Sequence, residues 1–518
     1  MRDGAVFIAV ALASSACGSS EAKSKQEPPA TERAPAPAPA PSAQHIDAVA
    51  NRTAYLPAQC YAQTQVDGRV RNSCATCHQA TREPNYVDDE SVQSVLSIPR
   101  IAADNPWTNV LHPPAPAQLD DATLLSYVRA DNTAGVDLRG CAFAPDPAGW
   151  DRDARGELTG WRAYAYAPLP GMFWPTNGSF GDAFIRLPDS FRRDASGAPS
   201  QDIYAINLAI VEAMIRRSDI AIPPTSEVLL GVDLDGNGKL GTARRVAYRW
   251  PNTQLHYVGG AAAEKLAAGL FPAGTELLHS LRYLDVDNGR VRPGKRMKEL
   301  RYLKKLRWLT YAQLDIASKA EQREKEQNPD TTKKMLGDGI TGVGTATGWI
   351  AQAMIERADG TLRAQTLEET GACIGCHGGV GANTDSTFSF ARKTAWGVQE
   401  VRGMREPMRA DGRGEYRAWL EAVRGGDDYA SNAEIGALLD DAGRLAPARA
   451  KALAADISTL IIPSPQRAFA LNRAYLGIVR AQSFAHGRDA IVGTPRVLPT
   501  LVQDGSTGVT EPIAPPRP

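Results

Sequence analysis

Apolar positions recur at helical spacing in several separate stretches of this 518-residue chain. In "EYRAWLEAVRGG", Tyr416, Trp419, Leu420 and Val423 fall at i, i+3, i+4 and i+7, and Gly425 is a natural stop. In "LDDATLLSYVRADN", Leu124, Leu125 and Val128 share a helical face behind Asp120 or Asp121 as cap. Further helices are expected at "IYAINLAIVEAMIRR", "GWIAQAMIER" and "AEIGALLDDAG". The segment "RPGKRMKELRYLKKLRW" reads as the start of a long helix. There Met297, Leu300, Tyr302, Leu303, Leu306 and Trp308 alternate with eight basic side chains over a core stripe. Strand-like spacing is confined to the middle, where "EVLLGVDLDGNGKLG" and "RRVAYRW" flank an Asp-Gly-Asn-Gly turn. The fold class expected is therefore mainly α with a minor β region.

The ends follow a different pattern. A short charged head, a nine-residue apolar run over residues 5–13 and small residues leading to Cys17 have the layout of an export signal, and the run is too short to span a bilayer. With Ser15 and Ala16 before Cys17, it resembles the bacterial lipoprotein signal, which implies lipidation of Cys17 as the first mature residue. Residues 18–44 are rich in Pro, Ala, Lys and Glu, and read as an extended tether unable to bury a core. The remaining length suits two or three domains. Lys plus Arg and Asp plus Glu are equal at 58 each, so no global field points to nucleic acid.

Two copies of CxxCH carry the chemistry: "CATCH" at Cys74, Cys77 and His78, and "CIGCH" at Cys373, Cys376 and His377. Paired cysteines at this spacing add across the vinyl groups of one haem and the following histidine faces the iron, so in an exported chain the motif reads as c-type haem attachment. A zinc half-site or a redox dithiol is the bland alternative; zinc needs two convergent pairs, and a dithiol needs only one CxxC. Of seven cysteines, Cys60 and Cys141 are left over, and in an exported protein they are most simply a disulfide. Both pentapeptides are similar to those of c-type cytochromes. With "GCHGGVGANTDSTFSFARK" and "RAFALNRAYLGIVRAQSFAHGRDA", the chain resembles large di-haem cytochrome lipoproteins of Gram-negative bacteria. That resemblance implies haem binding and electron transfer, with two helical cytochrome-c-like haem regions separated by a mixed middle region.

The second axial ligands decide between wire and enzyme. After His78, His112 lies 34 positions on and precedes an amphipathic helix. After His377, Met404 and Met408 lie 27 and 31 positions on, again before such a helix, and His279 in "ELLHSLRYLD" is the rival for the second haem. "DLDGNGKL" matches the start of an EF-hand loop, with Asp233, Asp235, Asn237 and the Lys239 carbonyl as calcium ligands. Arg244 stands where the closing carboxylate belongs, and Glu227 is a substitute from outside the loop. The basic segment offers steering of an acidic redox partner, neutralisation of haem propionates or contact with anionic headgroups.

These readings divide the chain into a signal peptide (1–17), the tether (18–44), a first haem region (45–145), a mixed middle region (146–290), a helical second haem region (291–500) and a tail (501–518). The function expected is a di-haem c-type cytochrome, anchored by lipid to a bacterial membrane, in all expectation the outer one, and facing periplasm or cell surface. It would carry single electrons between redox partner proteins, with two covalent haem c groups and calcium as a further ion, and with no nucleic-acid partner. The alternative is a di-haem peroxidase or oxygenase with one open iron.

Overall fold

The computed structural model describes residues 107–170, 178–251, 253–327, 337–379, 384–397, 404–409, 412–423 and 432–494, together with short strands at Val49–Ala50, Thr64–Val66, Arg69–Arg71 and Lys334–Met335. These lie in one compact unit, Ile46–Pro518. Cys17, Cys60, Cys74, Cys77 and His78 fall outside the described residues.

The centre of the fold is an eleven-stranded antiparallel sheet, which overturns the expectation of a mainly helical, cytochrome-c-like protein. Its strands are β1 (Trp150–Arg152), β2 (Leu158–Tyr166), β3 (Phe180–Gly181), β4 (Ala183–Arg186), β5 (Glu276–Asp287), β6 (Arg290–Lys305), β7 (Gly337–Asp338), β8 (Gly342–Gly344), β9 (Trp349–Glu356), β10 (Leu362–Ala364) and β11 (Lys393–Thr394). The main path runs β7-β8-β9-β6-β5-β4-β2-β11, with β10 on β9, β1 on β2 and β3 on β5. The long β5–β6 hairpin crosses residues 290 and 291, where the sequence suggested a boundary.

Two expected helices are strands of this sheet. "GWIAQAMIER" is β9, where Trp349, Ala351, Ala353 and Ile355 are buried and Ile350, Gln352 and Met354 are half-buried between them, the period of a strand. The basic segment is β6, buried continuously from Arg296 to Leu300 because both sheet faces are covered. A strand packed on both faces loses its alternation and cannot be told from a helix by spacing alone. Three of its eight basic side chains are buried or half-buried and paired with carboxylates in or beside the sheet, Arg296 with Glu356, Arg301 with Glu299, and Lys305 with Asp385, while Arg292, Lys295 and Arg307 are exposed.

The register places His279 of β5 opposite Arg301 of β6, and Arg301 opposite Ala353 of β9; the next rows are Leu277, Leu303, Ala351 and Leu281, Glu299, Ile355. Cross-strand partners share a face. The opposite face packs Leu278, Leu300 and Tyr302 against Trp161, Phe184 and Cys141. Cys141 is a free, buried thiol, and Cys60, its expected partner, lies outside the described residues; burial raises the thiol far above its usual range, with the nearby Asp151 carboxylate adding to the effect.

Helices α1 (Asp121–Arg129), α2 (Gln201–Arg216), α3 (Tyr311–Gln327), α4 (Leu367–His377), α5 (Glu415–Val423) and α6 (Pro465–Ala481) surround the sheet. In α1, Asp120 accepts from the Thr123 amide as N-cap and Leu124 and Val128 are buried, as the spacing predicts. Helix α2 is the "IYAINLAIVEAMIRR" helix, capped by Ser200 and burying Ile206, Ile210, Met214 and Ile215 in the largest core cluster. Each such side chain contributes roughly 1.5–3 kcal/mol when fully buried. Helix α5 buries Tyr416, Trp419 and Leu420 as expected, whereas "AEIGALLDDAG" forms only the single turn Ala433–Gly436.

Candidate functional site

The face carrying His279 and Arg301 forms the floor of a cavity of about 200 Å³. Helix α4, which carries Cys373 and His377, borders it, as do the segment around Phe388 and the Arg488–Asp489 pair beyond α6. Helix α4 begins with a capping box: the Thr366 side chain accepts from the Glu369 amide and the Glu369 carboxylate accepts from the Thr366 amide. The second CxxCH thus sits at the end of a helix whose start is fixed, with His377 as its last residue.

His377 is oriented by a strained turn. Its Nδ1 lies 2.6 Å from the carbonyl oxygen of Ser386, and its ring packs edge-on against Phe388. Ser386 and the preceding Asp385 both have left-handed backbones, with φ of 65° and 45°. Two consecutive non-glycine residues in this region cost roughly 1–3 kcal/mol each and persist only where surrounding structure imposes them. Here Asp385 supplies that hold. Its buried carboxylate accepts from Lys305 Nζ at 2.5 Å and from the Phe271 amide at 2.9 Å. With Nδ1 donating to a carbonyl, Nε2 of His377 is left as the lone-pair nitrogen, the arrangement that suits a metal-binding imidazole.

His279 lines the same cavity. Tyr166 Oη lies 3.4 Å from its Nε2. Nδ1 makes no hydrogen bond of normal geometry, although the Asp182 main chain faces the ring and favours its charged form. Burial, followed by the Arg301 charge, lowers His279 to about 4; burial likewise lowers His377 to about 4, opposed by the Ser386 carbonyl. Both rings are neutral at physiological pH, as ligands must be. The glycine opposite Leu281 makes room, since a Cβ on Gly181 would stand 2.2 Å from Tyr166 Oη and 3.0 Å from His279 Cε1.

The ligand atoms of His279, Cys373 and His377 do not all come within 4.8 Å of one another; among the described residues only Glu227, Asp233 and Asp235 form such a group. The three cavity residues are therefore too spread to share one metal ion such as zinc, which needs its ligands about 2.0–2.3 Å from a common centre. A wide apolar cavity with a thiol-bearing helix at its rim and neutral imidazoles on two walls fits a flat macrocycle attached through CxxCH.

The other expected ligands lie elsewhere. Met404 is buried in the cluster of Tyr416, Trp419 and Leu420, Met408 is exposed at the surface, and neither borders the cavity. His112 is exposed, five positions after Trp107, a buried residue that does border the cavity and whose indole N–H donates to Asp489 at 2.8 Å. The EF-hand-like loop joins a short hairpin of Ile220–Ser226 and Thr242–Val246. The stretch from Glu227 to Leu230, expected as strand, is a helical turn. Asp233 accepts from the Asn237 and Gly238 amides, and Asn237 Oδ1 accepts from Lys239 N. The buried Glu227 carboxylate reaches in from outside to accept from Leu234, Asp235 and Gly241.

Sequence spacing missed Arg488 and Tyr166 as cavity residues and offered Lys298 and Arg301 only as members of a basic helix, because strand pairing and a contact across 189 positions bring them together.

A family model described as a "-like lipoprotein" matches residues 142–442, more than half of the chain. The chain belongs to this lipoprotein family. It is also similar to a protein of Aquifex aeolicus (strain VF5) called an uncharacterized lipoprotein, 29% identical over 84% of this chain and 85% of the relative. No solved structure matches. These findings correct the family reading taken from the haem motifs: the matching family is a lipoprotein family and not a cytochrome family. Membership makes this a lipid-anchored, membrane-associated lipoprotein. Among the described residues no helix is long and apolar enough to cross a membrane.

Proposed function

We propose that this lipoprotein is a di-haem c-type electron carrier. The observation that carries the reading is the meeting of His279 and His377 in one cavity beside Cys373. In this reading Cys373 and Cys376 hold the second haem covalently, His377 is its proximal ligand and His279 its distal ligand; Cys74, Cys77 and His78 hold the first, with His112 as its candidate second ligand. The group supplies reversible one-electron chemistry at its iron. The protein's part is to hold both imidazoles neutral, keep water from the ring and fix the ligand set.

Were His279 and His377 both to hold the iron, no position on it would be left open, which would favour a carrier over the peroxidase or oxygenase alternative. The anchor through Cys17 would hold the protein to the outer membrane, where redox proteins of the periplasm or cell surface would meet it. Optical and EPR spectra of the purified, haem-loaded protein test the reading. Low-spin signals without response to CO or peroxide are expected, and His279→Ala should create a high-spin, CO-binding centre. A high-spin haem in the native protein that turns over peroxide would replace the carrier with the enzyme.

A further inference from the structure

Among the described residues eight large apolar side chains are exposed, and three of them, Val228, Leu229 and Leu240, fall within residues 228–240. Single exposed apolar residues are ordinary on a protein surface, whereas a cluster marks a contact. Leu229 keeps 87% of its surface accessible, Val228 65% and Leu240 49%. They stand together at the tip of the hairpin of Ile220–Ser226 and Thr242–Val246. There the Glu227 amide donates to the Gly241 carbonyl at 2.9 Å, so Val228 and Leu240 flank one backbone contact.

The tip is firmly built. Val232, Leu234, Ala243 and Val246 at its base pack into the largest core cluster. The fully buried Glu227 carboxylate accepts from the Leu234, Asp235 and Gly241 amides at 2.7, 3.1 and 2.8 Å, which ties the helical turn to both sides of the loop. Leu229 is thus presented outward on a fixed support. Charge at the tip is sorted by direction. Asp233 and Asp235 are half-buried and turn in on the loop, accepting from the Asn237 and Gly238 amides. Lys239 and Arg244 are exposed and form no ion pair among the described residues, whereas Arg245 is paired with Asp219 at 3.1 Å. Apolar side chains with free cations beside them suit a membrane interface, where the former reach below the headgroups and the latter meet phosphates.

A bilayer is at hand, because the family is one of lipid-anchored proteins. Residues 18–44, read from the sequence as an extended tether, would reach roughly 80 Å at about 3.1 Å per residue. An anchor on such a tether holds a domain without choosing which face meets the lipid. We propose that Val228, Leu229 and Leu240, with Lys239 and Arg244, form a second membrane contact that inserts among anionic phospholipids and orients the anchored domain. The contact is independent of the haem reading. Three side chains are too few to retain the protein without its lipid, so their task is orientation.

The test uses full-length, lipidated protein in vesicles of phosphatidylethanolamine and phosphatidylglycerol. A nitroxide is placed through Leu229→Cys and, as control, through Ile340→Cys, a position that is 70% exposed and outside the hairpin. Signal from the native cysteines is measured in the unsubstituted protein and subtracted. Power-saturation EPR reads collision with oxygen, which concentrates in lipid, and with a nickel chelate, which stays in water. The label at position 229 should gain oxygen contact and lose chelate contact, while the control label stays in water. Phosphatidylcholine vesicles, or Lys239→Gln combined with Arg244→Gln, should return the first label toward water. Val228→Cys gives the same reading should Leu229→Cys fail to fold. A label at 229 as wet as the control would overturn the proposal. One shielded from oxygen and chelate alike would overturn it too, because protein would then cover the tip. Immersion unchanged by loss of both cations would overturn their part in the contact.

Discussion

Ser386 and Asp385 show how single residues set the site. Their left-handed backbones aim one carbonyl at His377, and the fully buried Lys305–Asp385 pair keeps them there. Removing one partner of such a pair leaves an uncompensated buried charge, so Asp385→Ala should lower unfolding free energy by about 3–5 kcal/mol, measured by urea denaturation. In the haem-bound protein proposed above, the same variant should broaden the spectral signature of the His377 ligand. Glu299 makes an acid-dependent contribution. Burial alone would raise its carboxyl, but the Arg488 and Arg301 charges outweigh that and hold it down at about 2. A folded value below the unfolded one stabilises the protein at pH above the ordinary glutamate value, and the stabilisation is lost as pH falls from there toward 2. Melting temperature should therefore drop through that window, and Glu299→Gln should flatten the drop. The place of Cys373 and His377 on one helix was legible from their spacing, because they are neighbours in sequence. Arg301 and Arg488 were not, since nothing local marks a basic side chain as buried.

Secondary elements divide into those whose signals are local and those decided by packing. Helix α1 follows from its cap and its apolar face, and Asp120→Ala should cost about 1 kcal/mol in thermal or chemical unfolding. Strand β6 was read as a helix because coverage of both faces replaced alternation with a continuous run, and β9 because its half-buried Ile350 and Met354 are apolar too, so its sequence does not alternate although its burial does. They meet at Glu356, fully buried, which accepts from Tyr127, Tyr283 and Arg296. Burial raises this carboxyl despite those donors. The loop from Asp233 to Lys239 kept the turn its sequence promised, and three carboxylates converge there. Added calcium is expected to raise the melting temperature, and Asp233→Asn to abolish that rise, by differential scanning calorimetry.

Taken whole, the molecule is a broad antiparallel sheet with a histidine-lined cavity on one face, carried by a lipid-anchored chain. Cys17→Ser should shift the protein from the membrane fraction to the soluble fraction, read by detergent-phase partitioning. The amino-acid sequence was sufficient for the export and lipoprotein signal, the two CxxCH motifs, and the helices α1, α2 and α5, because each depends on residues within a few positions of one another. Pairing between distant strands settled the rest. It set His279 beside Arg301, carried them to His377 from 98 and 76 positions away, and withdrew Met404 into a separate core. Spacing along a chain encodes local periodicity, whereas register between strands depends on which faces find cover, and that is fixed only when the whole sheet has assembled.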